Sequence, residues 1–172
     1  MPLIQKIGCP KARQYLFFCS CLVFIGISLP FAYHHLHKEQ VLFHYGQRAL
    51  AANEYSEAAS YFQQAHKAGL NSPRLLNHLL QVNMSLGNWS LAEKNIRKLV
   101  GKQPGELDLK LELARILYMR GKLSQALNHV HALLAHRPDW PQALYLQGRI
   151  YVARDDFQAA IKAYKKILGE QG

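Results

Sequence analysis

The chain has 172 residues and a formal net charge of +10, with 21 Lys and Arg against 11 Asp and Glu. This positive charge is not arranged as a basic stripe with interleaved aromatic residues, which argues against nucleic acid as a partner. The three cysteines are Cys9, Cys19 and Cys21. The remainder of the chain therefore depends on no disulfide bond.

The N-terminal part of the sequence predicts a membrane anchor. Residues 15–33 carry no charge and are mainly aromatic or aliphatic. Their number is close to the ~20 residues with which a helix crosses a bilayer. Lys6, Lys11 and Arg13 precede the segment with no acidic residue among them, which favours a short cytoplasmic tail over residues 1–14. We therefore expect an uncleaved transmembrane helix that places the rest of the chain on the extracytoplasmic side.

Two other interpretations of this segment stay open. A cleaved signal peptide would need small residues at its cleavage site; Ala32 fits, but Pro30 fits poorly at the second position. A lipoprotein signal is favoured less, because the residues that precede Cys19 and Cys21 do not suit one.

Residues 34–38, with the sequence His-His-Leu-His-Lys, form the predicted linker. Five extended residues reach about 17 Å at ~3.3 Å each, so the following domain is expected to lie against the membrane surface. The histidines could bind a metal or respond to pH. Because no acidic or cysteine ligand is nearby, we interpret them as a solvated interfacial stretch and predict no metal.

From residue 39 onward a pattern recurs every 34 residues, which gives the units 39–72, 73–106, 107–140 and 141–172. Four positions of each unit carry it: a mostly small residue at position 8 (Gly46, Leu80, Ala114, Gly148), an aromatic or apolar residue at position 17 (Tyr55, Trp89, Leu123, Phe157), alanine at position 20 (Ala58, Ala92, Ala126, Ala160), and a large apolar residue at position 24 (Phe62, Ile96, Val130, Tyr164). A period of this kind predicts an all-α solenoid of stacked helical hairpins. Leu80 is the exception at position 8, so we expect the helices of its hairpin to lie slightly further apart.

Position 15 of each unit holds a residue suited to a turn between the two helices. These residues are Asn53, Gly87, Gly121 and Asp155, all of which leave helical geometry at low cost. The pair Asp155-Asp156 is expected to cap the helix that follows it.

These residues and their spacing resemble the tetratricopeptide repeat (TPR) family, and the resemblance covers roughly three quarters of the chain. It implies a right-handed α-solenoid of about four TPR hairpins, preceded here by one N-terminal transmembrane helix. It also implies that the first helix of each unit lines a concave groove.

The groove-facing positions implied by the resemblance combine amide, imidazole, aromatic and guanidinium groups, which suit an extended or helical peptide. The candidate binding residues are His44, Gln47, Arg74, Asn77, His78, Gln81, Glu112, Arg115, Tyr118, Tyr145 and Arg149. For each of them, simple solvation is the alternative. The carboxylate clamp of chaperone-binding TPRs is missing, because Asp108 and Glu112 stand where that clamp has cations.

Two further surfaces are expected. The lysine-rich second helices would face anionic lipid headgroups or simply solvate the convex side. The last helix is followed only by a few residues, without the polar helix that usually covers a TPR array. Four apolar residues are therefore predicted to form an end surface on which a partner or a second copy docks: Ile161, Tyr164, Ile167 and Leu168.

The sequence contains no glycine-rich phosphate loop, metal-ligand spacing or nucleophile elbow, so we predict no enzyme activity and no cofactor. The arrangement resembles single-span bacterial TPR accessory proteins. The expected function is a scaffold at the periplasmic face of the inner membrane that assists assembly or maturation of a membrane or exported complex through an unidentified protein partner. The alternatives are a structural subunit without a peptide ligand and a cytosol-facing chaperone cofactor, which the missing clamp disfavours.

Overall fold

The computed structural model describes residues 37–169. This part of the chain forms eight helices and no strand: α1 Lys38–Ala51, α2 Tyr55–Lys67, α3 Pro73–Ser85, α4 Trp89–Lys102, α5 Leu107–Met119, α6 Leu123–His136, α7 Pro141–Val152 and α8 Phe157–Ile167. Each predicted unit contributes two of them. The all-α hairpin array expected from the 34-residue period is confirmed.

The turn inside each hairpin has one backbone geometry in all four units. Its central residue is left-handed, with φ of 61° at Asn53, 70° at Gly87, 72° at Gly121 and 59° at Asp155. The N–H that follows this residue donates to a carbonyl five residues earlier, at 2.8 to 3.0 Å. This bond closes the last turn of the first helix. The prediction that position 15 leaves helical geometry is confirmed.

Two helix starts are fixed by side-chain caps. Ser72 accepts a hydrogen bond from the Leu75 N–H at 3.2 Å, and Pro73 follows it at the first helical position. Asp156 accepts one from the Ala159 N–H at 3.1 Å, so the predicted cap of the last helix is confirmed.

In the first and fourth hairpins, the residues at positions 8 and 24 pack against each other. A Cβ added to Gly46 would lie 2.5 Å from the fully buried ring of Phe62, and Tyr164 covers Gly148 in the same manner. In the second unit these positions hold Leu80 and Ile96, which are both buried in one cluster. The side chain at position 24 therefore fills space within its own hairpin as well as between units.

The buried residues form two clusters that meet at α3. Leu75, Leu79 and Val82 pack toward the first unit, whereas Leu76 and Leu80 pack toward the third and fourth. Helices α5 and α7, the first helices of the third and fourth units, contact each other directly. This contact is consistent with first helices on the inner side of the stack and second helices on its open side; the concave groove itself stays a prediction.

An ion network joins the second and third units. Glu93 in α4 is buried at a repeat position that is apolar elsewhere (Ala59, Leu127, Ile161). Its carboxylate forms an ion pair with Arg97, one helical turn further along α4, at 2.8 Å. It also pairs with Lys122, at 3.0 Å, and with Arg120, which both lie in the turn of the next unit. Burial alone would raise the pKa of Glu93, but the hydrogen bonds from the three cations outweigh it and lower the pKa to about 2.

None of the helices between residues 37 and 169 is long and apolar enough to cross a membrane. The predicted tail at 1–14, the predicted span at 15–33 and residues 34–36 of the predicted linker lie outside the described residues.

We expect Gly46→Ala to destabilise the protein by about 1–3 kcal/mol, although alanine is the better helix former, because the added methyl group overpacks the buried Phe62 ring. Gly101 in α4 offers a matched control, since an added Cβ there meets nothing within 4 Å. Gly101→Ala should be neutral or stabilising by up to about 1 kcal/mol. Urea unfolding of both variants measures the two free energies. Equal changes in the free energy of unfolding would contradict overpacking of the Phe62 ring by a side chain at position 46.

We expect Glu93→Gln to lower the free energy of unfolding at pH 7 by on the order of 2–4 kcal/mol, since the folded state holds this carboxylate with a pKa well below the unfolded value of 4.5. A depressed pKa stabilises the fold above pH 4.5, and this contribution is lost as the pH falls toward 2. The difference between wild type and variant should therefore shrink over that range. Asp108→Asn, which changes an exposed carboxylate, should stay within about 0.5 kcal/mol of wild type at every pH. A gap that stayed constant with pH would contradict the ionic origin of the effect.

Candidate protein-interaction surfaces

Most of the predicted groove residues reach solvent along the first helices α1, α3, α5 and α7. Exposed members are His44, Arg74, Asn77, Gln81, Arg115, Tyr145 and Arg149, and partly buried members are Gln47, His78, Glu112 and Tyr118. Six of them contribute to two clusters, which are described below, and Glu112 and Arg115 form an ion pair. In that pair the Arg115 guanidinium lies 3.3 Å from the Glu112 carboxylate.

The first cluster is built around His78 in α3. Its imidazole stacks on the Phe62 ring with centroids 5.1 Å apart and planes inclined by 7°. Phe43 from α1 contacts the same imidazole at 5.4 Å, and the Arg74 guanidinium lies 5.6 Å from the Phe43 ring centre. Three helices of two units therefore combine to hold one imidazole at the edge of the core.

The environment of His78 favours the neutral form of its imidazole. Burial is the main cause that lowers its pKa, and the positive charge of Arg74 lowers it further. A hydrogen bond with Gln81 acts in the opposite direction and is the smaller effect. A neutral imidazole both donates and accepts, so His78 can form a polar contact with a peptide without carrying charge.

The second cluster joins the third and fourth units. The Arg149 guanidinium lies 4.9 Å from the ring centre of Tyr118 and 5.9 Å from that of Tyr145. It also donates to the Tyr118 hydroxyl at 3.5 Å, and Tyr145 in turn contacts Tyr164 at 6.1 Å. Because two rings hold the guanidinium in place, its remaining N–H groups are oriented before any ligand arrives.

The predicted end surface is only partly as expected. Ile161 is 50 % and Leu168 is 73 % exposed, while Ile167 is partly buried. Tyr164 instead packs on Gly148 and Tyr145, in the seam of its own hairpin.

One apolar residue was missing from the predicted end surface. Phe157 is 57 % exposed at position 17, where Tyr55, Trp89 and Leu123 of the earlier units are partly buried. The repeat pattern contained the necessary information, because position 17 holds an aromatic or apolar residue in all four units.

Among residues 37–169, no three His, Cys, Asp or Glu side chains come close enough together to hold a metal ion. The two clusters and the end face offer aromatic surface, guanidinium groups and neutral hydrogen-bonding groups. These are the groups with which proteins bind peptide segments and other proteins.

Comparison of the sequence with known protein families identifies the same repeats. A tetratricopeptide repeat family model matches residues 46–106 and 111–172. A search of curated proteins finds no significant match.

Several solved structures share the fold. YrrB, described as a TPR protein with an unusual peptide-binding site, superimposes with a TM-score of 0.70 at 20 % identity and covers 91 % of this chain and 82 % of its own. MamA MSR-1 gives a TM-score of 0.67 at 14 % identity, with coverage of 76 % and 75 %. MamA from Desulfovibrio magneticus RS-1 gives 0.64 at 22 % identity, with coverage of 77 % and 75 %.

At such low identities these structures support the fold and carry no information about a ligand. The family model extends over more than half of the chain, and each of its two matches spans most of two successive hairpins. The resemblance inferred from the sequence is therefore confirmed: this chain belongs to the tetratricopeptide repeat family.

Proposed function

We propose that this chain is a membrane-anchored TPR scaffold that binds protein partners at the periplasmic face of a bacterial inner membrane. In this proposal it assists the assembly or maturation of a membrane or exported complex and catalyses no reaction itself. Its membership of the TPR family supports a role in protein–protein interaction. The membrane, the compartment and the type of complex are inferences from the sequence.

The observation that carries the proposal is the cluster of Arg149, Tyr118 and Tyr145. It lies on the first helices of two successive units, and Tyr145 is 55 % exposed. A fixed guanidinium between aromatic rings offers donors to peptide carbonyls or carboxylates and apolar area to neighbouring side chains. Tyrosine and arginine dominate the binding energy of many interfaces for these reasons.

The membrane placement rests on the apolar segment 15–33 and on the basic residues that precede it. The first described helix begins at Lys38, the last residue of the predicted linker. In an anchored chain the linker, which is at most about 17 Å long, would therefore keep the groove close to the bilayer. Partners would be membrane proteins or chains handled at the membrane surface.

A second candidate function is a structural subunit of a membrane complex that assembles through its end face, including assembly with a second copy. The exposed residues Phe157, Ile161 and Leu168 favour it, since apolar side chains gathered at one end of a repeat array suit further stacking. In this case the groove would bind no peptide.

Photoreactive residues placed at Tyr145 in the groove and at Ile161 on the end face distinguish the two functions. In native cells we expect adducts from Tyr145 that fall at least fivefold when Arg149 is replaced by alanine, because the cluster then loses its fixed donors. Adducts from Ile161 should not change in that variant. Arg154→Ala removes an exposed arginine outside the groove and serves as the matched control. Adducts from Ile161 alone would overturn the groove proposal in favour of end-on assembly.

The membrane anchoring and the orientation of the chain are measured on the same cells. An anchored periplasmic domain should stay with the membrane after alkaline extraction, and protease should digest it in spheroplasts but not in intact cells. Release by alkaline extraction would indicate that the apolar segment is cleaved. Protection in spheroplasts would contradict the periplasmic orientation.

A further inference from the structure

A cleft between the second helices α2 and α4 lies on the open side of the stack, away from the groove. Its volume is about 250 Å³. Residues of α2 and α4 form its walls and two residues of α3 contribute to its floor: Gln63, His66, Lys67, Leu79, Asn83, Leu91, Lys94, Asn95 and Lys98. We call it the α2–α4 cleft.

The α2–α4 cleft is positively charged. Lys67, Lys94 and Lys98 line it, and none of the lining residues is acidic. His66 uses Nδ1 for a hydrogen bond with the Leu70 carbonyl at 3.0 Å, which makes Nδ1 the donor. Its Nε2 then accepts from the Lys98 ammonium at 3.5 Å. The cleft therefore gathers three cations without an anion.

The floor of the cleft contains a polar group that the fold does not use. The Asn83 side chain is only 1 % exposed, and its amide nitrogen donates to the Leu79 carbonyl at 2.6 Å. The amide oxygen, in contrast, has no hydrogen-bond partner within residues 37–169. Because a buried acceptor without a donor costs stability, this oxygen requires an explanation.

The repeat shows that the polar group is particular to the second unit. Asn83 occupies position 11, where the other units carry Ala49, Leu117 and Tyr151. A leucine at the equivalent position of the third unit is fully buried. The hairpin therefore accepts an apolar residue at this place, and packing alone does not require asparagine.

We propose that the α2–α4 cleft binds a phosphate ester that also carries a hydroxyl group, either a small soluble ester or the headgroup of a phospholipid. The phosphate lies between Lys67, Lys94 and Lys98, and the hydroxyl donates to the Asn83 amide oxygen. A tetrahedral phosphate accepts hydrogen bonds from several directions, which suits three ammonium groups on two helices better than a planar carboxylate does. This site is independent of the groove and of the proposed function.

The test uses the full-length chain in detergent and three probes, measured by calorimetric titration. Glycerol 3-phosphate carries both groups, ethyl phosphate lacks the hydroxyl, and glycerol lacks the phosphate. We expect glycerol 3-phosphate to bind about tenfold more tightly than ethyl phosphate, which is the effect of one hydrogen bond to a buried acceptor, and glycerol not to bind.

Variants separate the two halves of the site. Asn83→Leu should reduce the affinity for glycerol 3-phosphate to that for ethyl phosphate while the thermal midpoint stays equal or rises, since an unpaired polar group is removed. Lys98→Gln should weaken both esters to a similar degree. Lys162→Gln, which changes an exposed lysine of α8 outside the cleft, should change neither affinity.

A short-chain lipid pair distinguishes the sources of the ester. Dihexanoyl phosphatidylglycerol carries hydroxyl groups, and dihexanoyl phosphatidylmethanol has the same charge without them. Preference for phosphatidylglycerol over the free ester identifies a lipid headgroup, and the reverse identifies a soluble metabolite. Equal binding of the two lipids together with equal binding of the two esters would overturn the proposal, as would affinities that neither Asn83→Leu nor Lys98→Gln reduces.

Discussion

The fold depends on one constraint: a helical hairpin of this repeat buries only part of its apolar surface, so each hairpin must pack against its neighbour. The separation of the two helices in a hairpin is set by the side chains at positions 8 and 24. Phe62 and Tyr164 lie against Gly46 and Gly148, where no Cβ intervenes. Because the core is close-packed, a larger side chain at either position must be accommodated by its neighbours. Leu80 and Ile96 together are larger than any of the other three pairs, so the second hairpin departs from this packing.

The repeating features of the fold were predicted from the sequence. The period, the four left-handed turn residues and the cap at Asp156 all follow from local residue types at fixed spacing, and the structure confirms them. Residues that occur in one unit only were not predicted. Glu93 and Asn83 occupy positions that hold apolar residues elsewhere, and the partners Arg120 and Lys122 come from the next hairpin. The structural role of a buried charge depends on its three-dimensional neighbours, and the pattern of a single repeat unit does not contain them.

The candidate groove shows the same division. Family positions placed the candidate residues on the first helices, where seven of the eleven are exposed and four are partly buried. Their grouping was not predictable, because it depends on how successive units overlap. Arg149 lies between Tyr118 and Tyr145 because the fourth unit stacks on the third. Tyr164, expected on the end face, lies instead between the two helices of its own hairpin, beside Gly148.

The costly polar residues concentrate in the second unit, and the energetics of a linear array explain why this unit accepts them. Helix α3 buries apolar residues toward both neighbouring clusters, including Leu75 and Leu76, which are fully enclosed. A hairpin that stacks on both sides gains more from apolar burial than one at an end, so it tolerates a buried carboxylate and an unpaired amide oxygen. In the fourth unit, by contrast, Ile161 is half exposed. The buried polar groups of the second unit therefore lie where apolar packing on both sides offsets their cost.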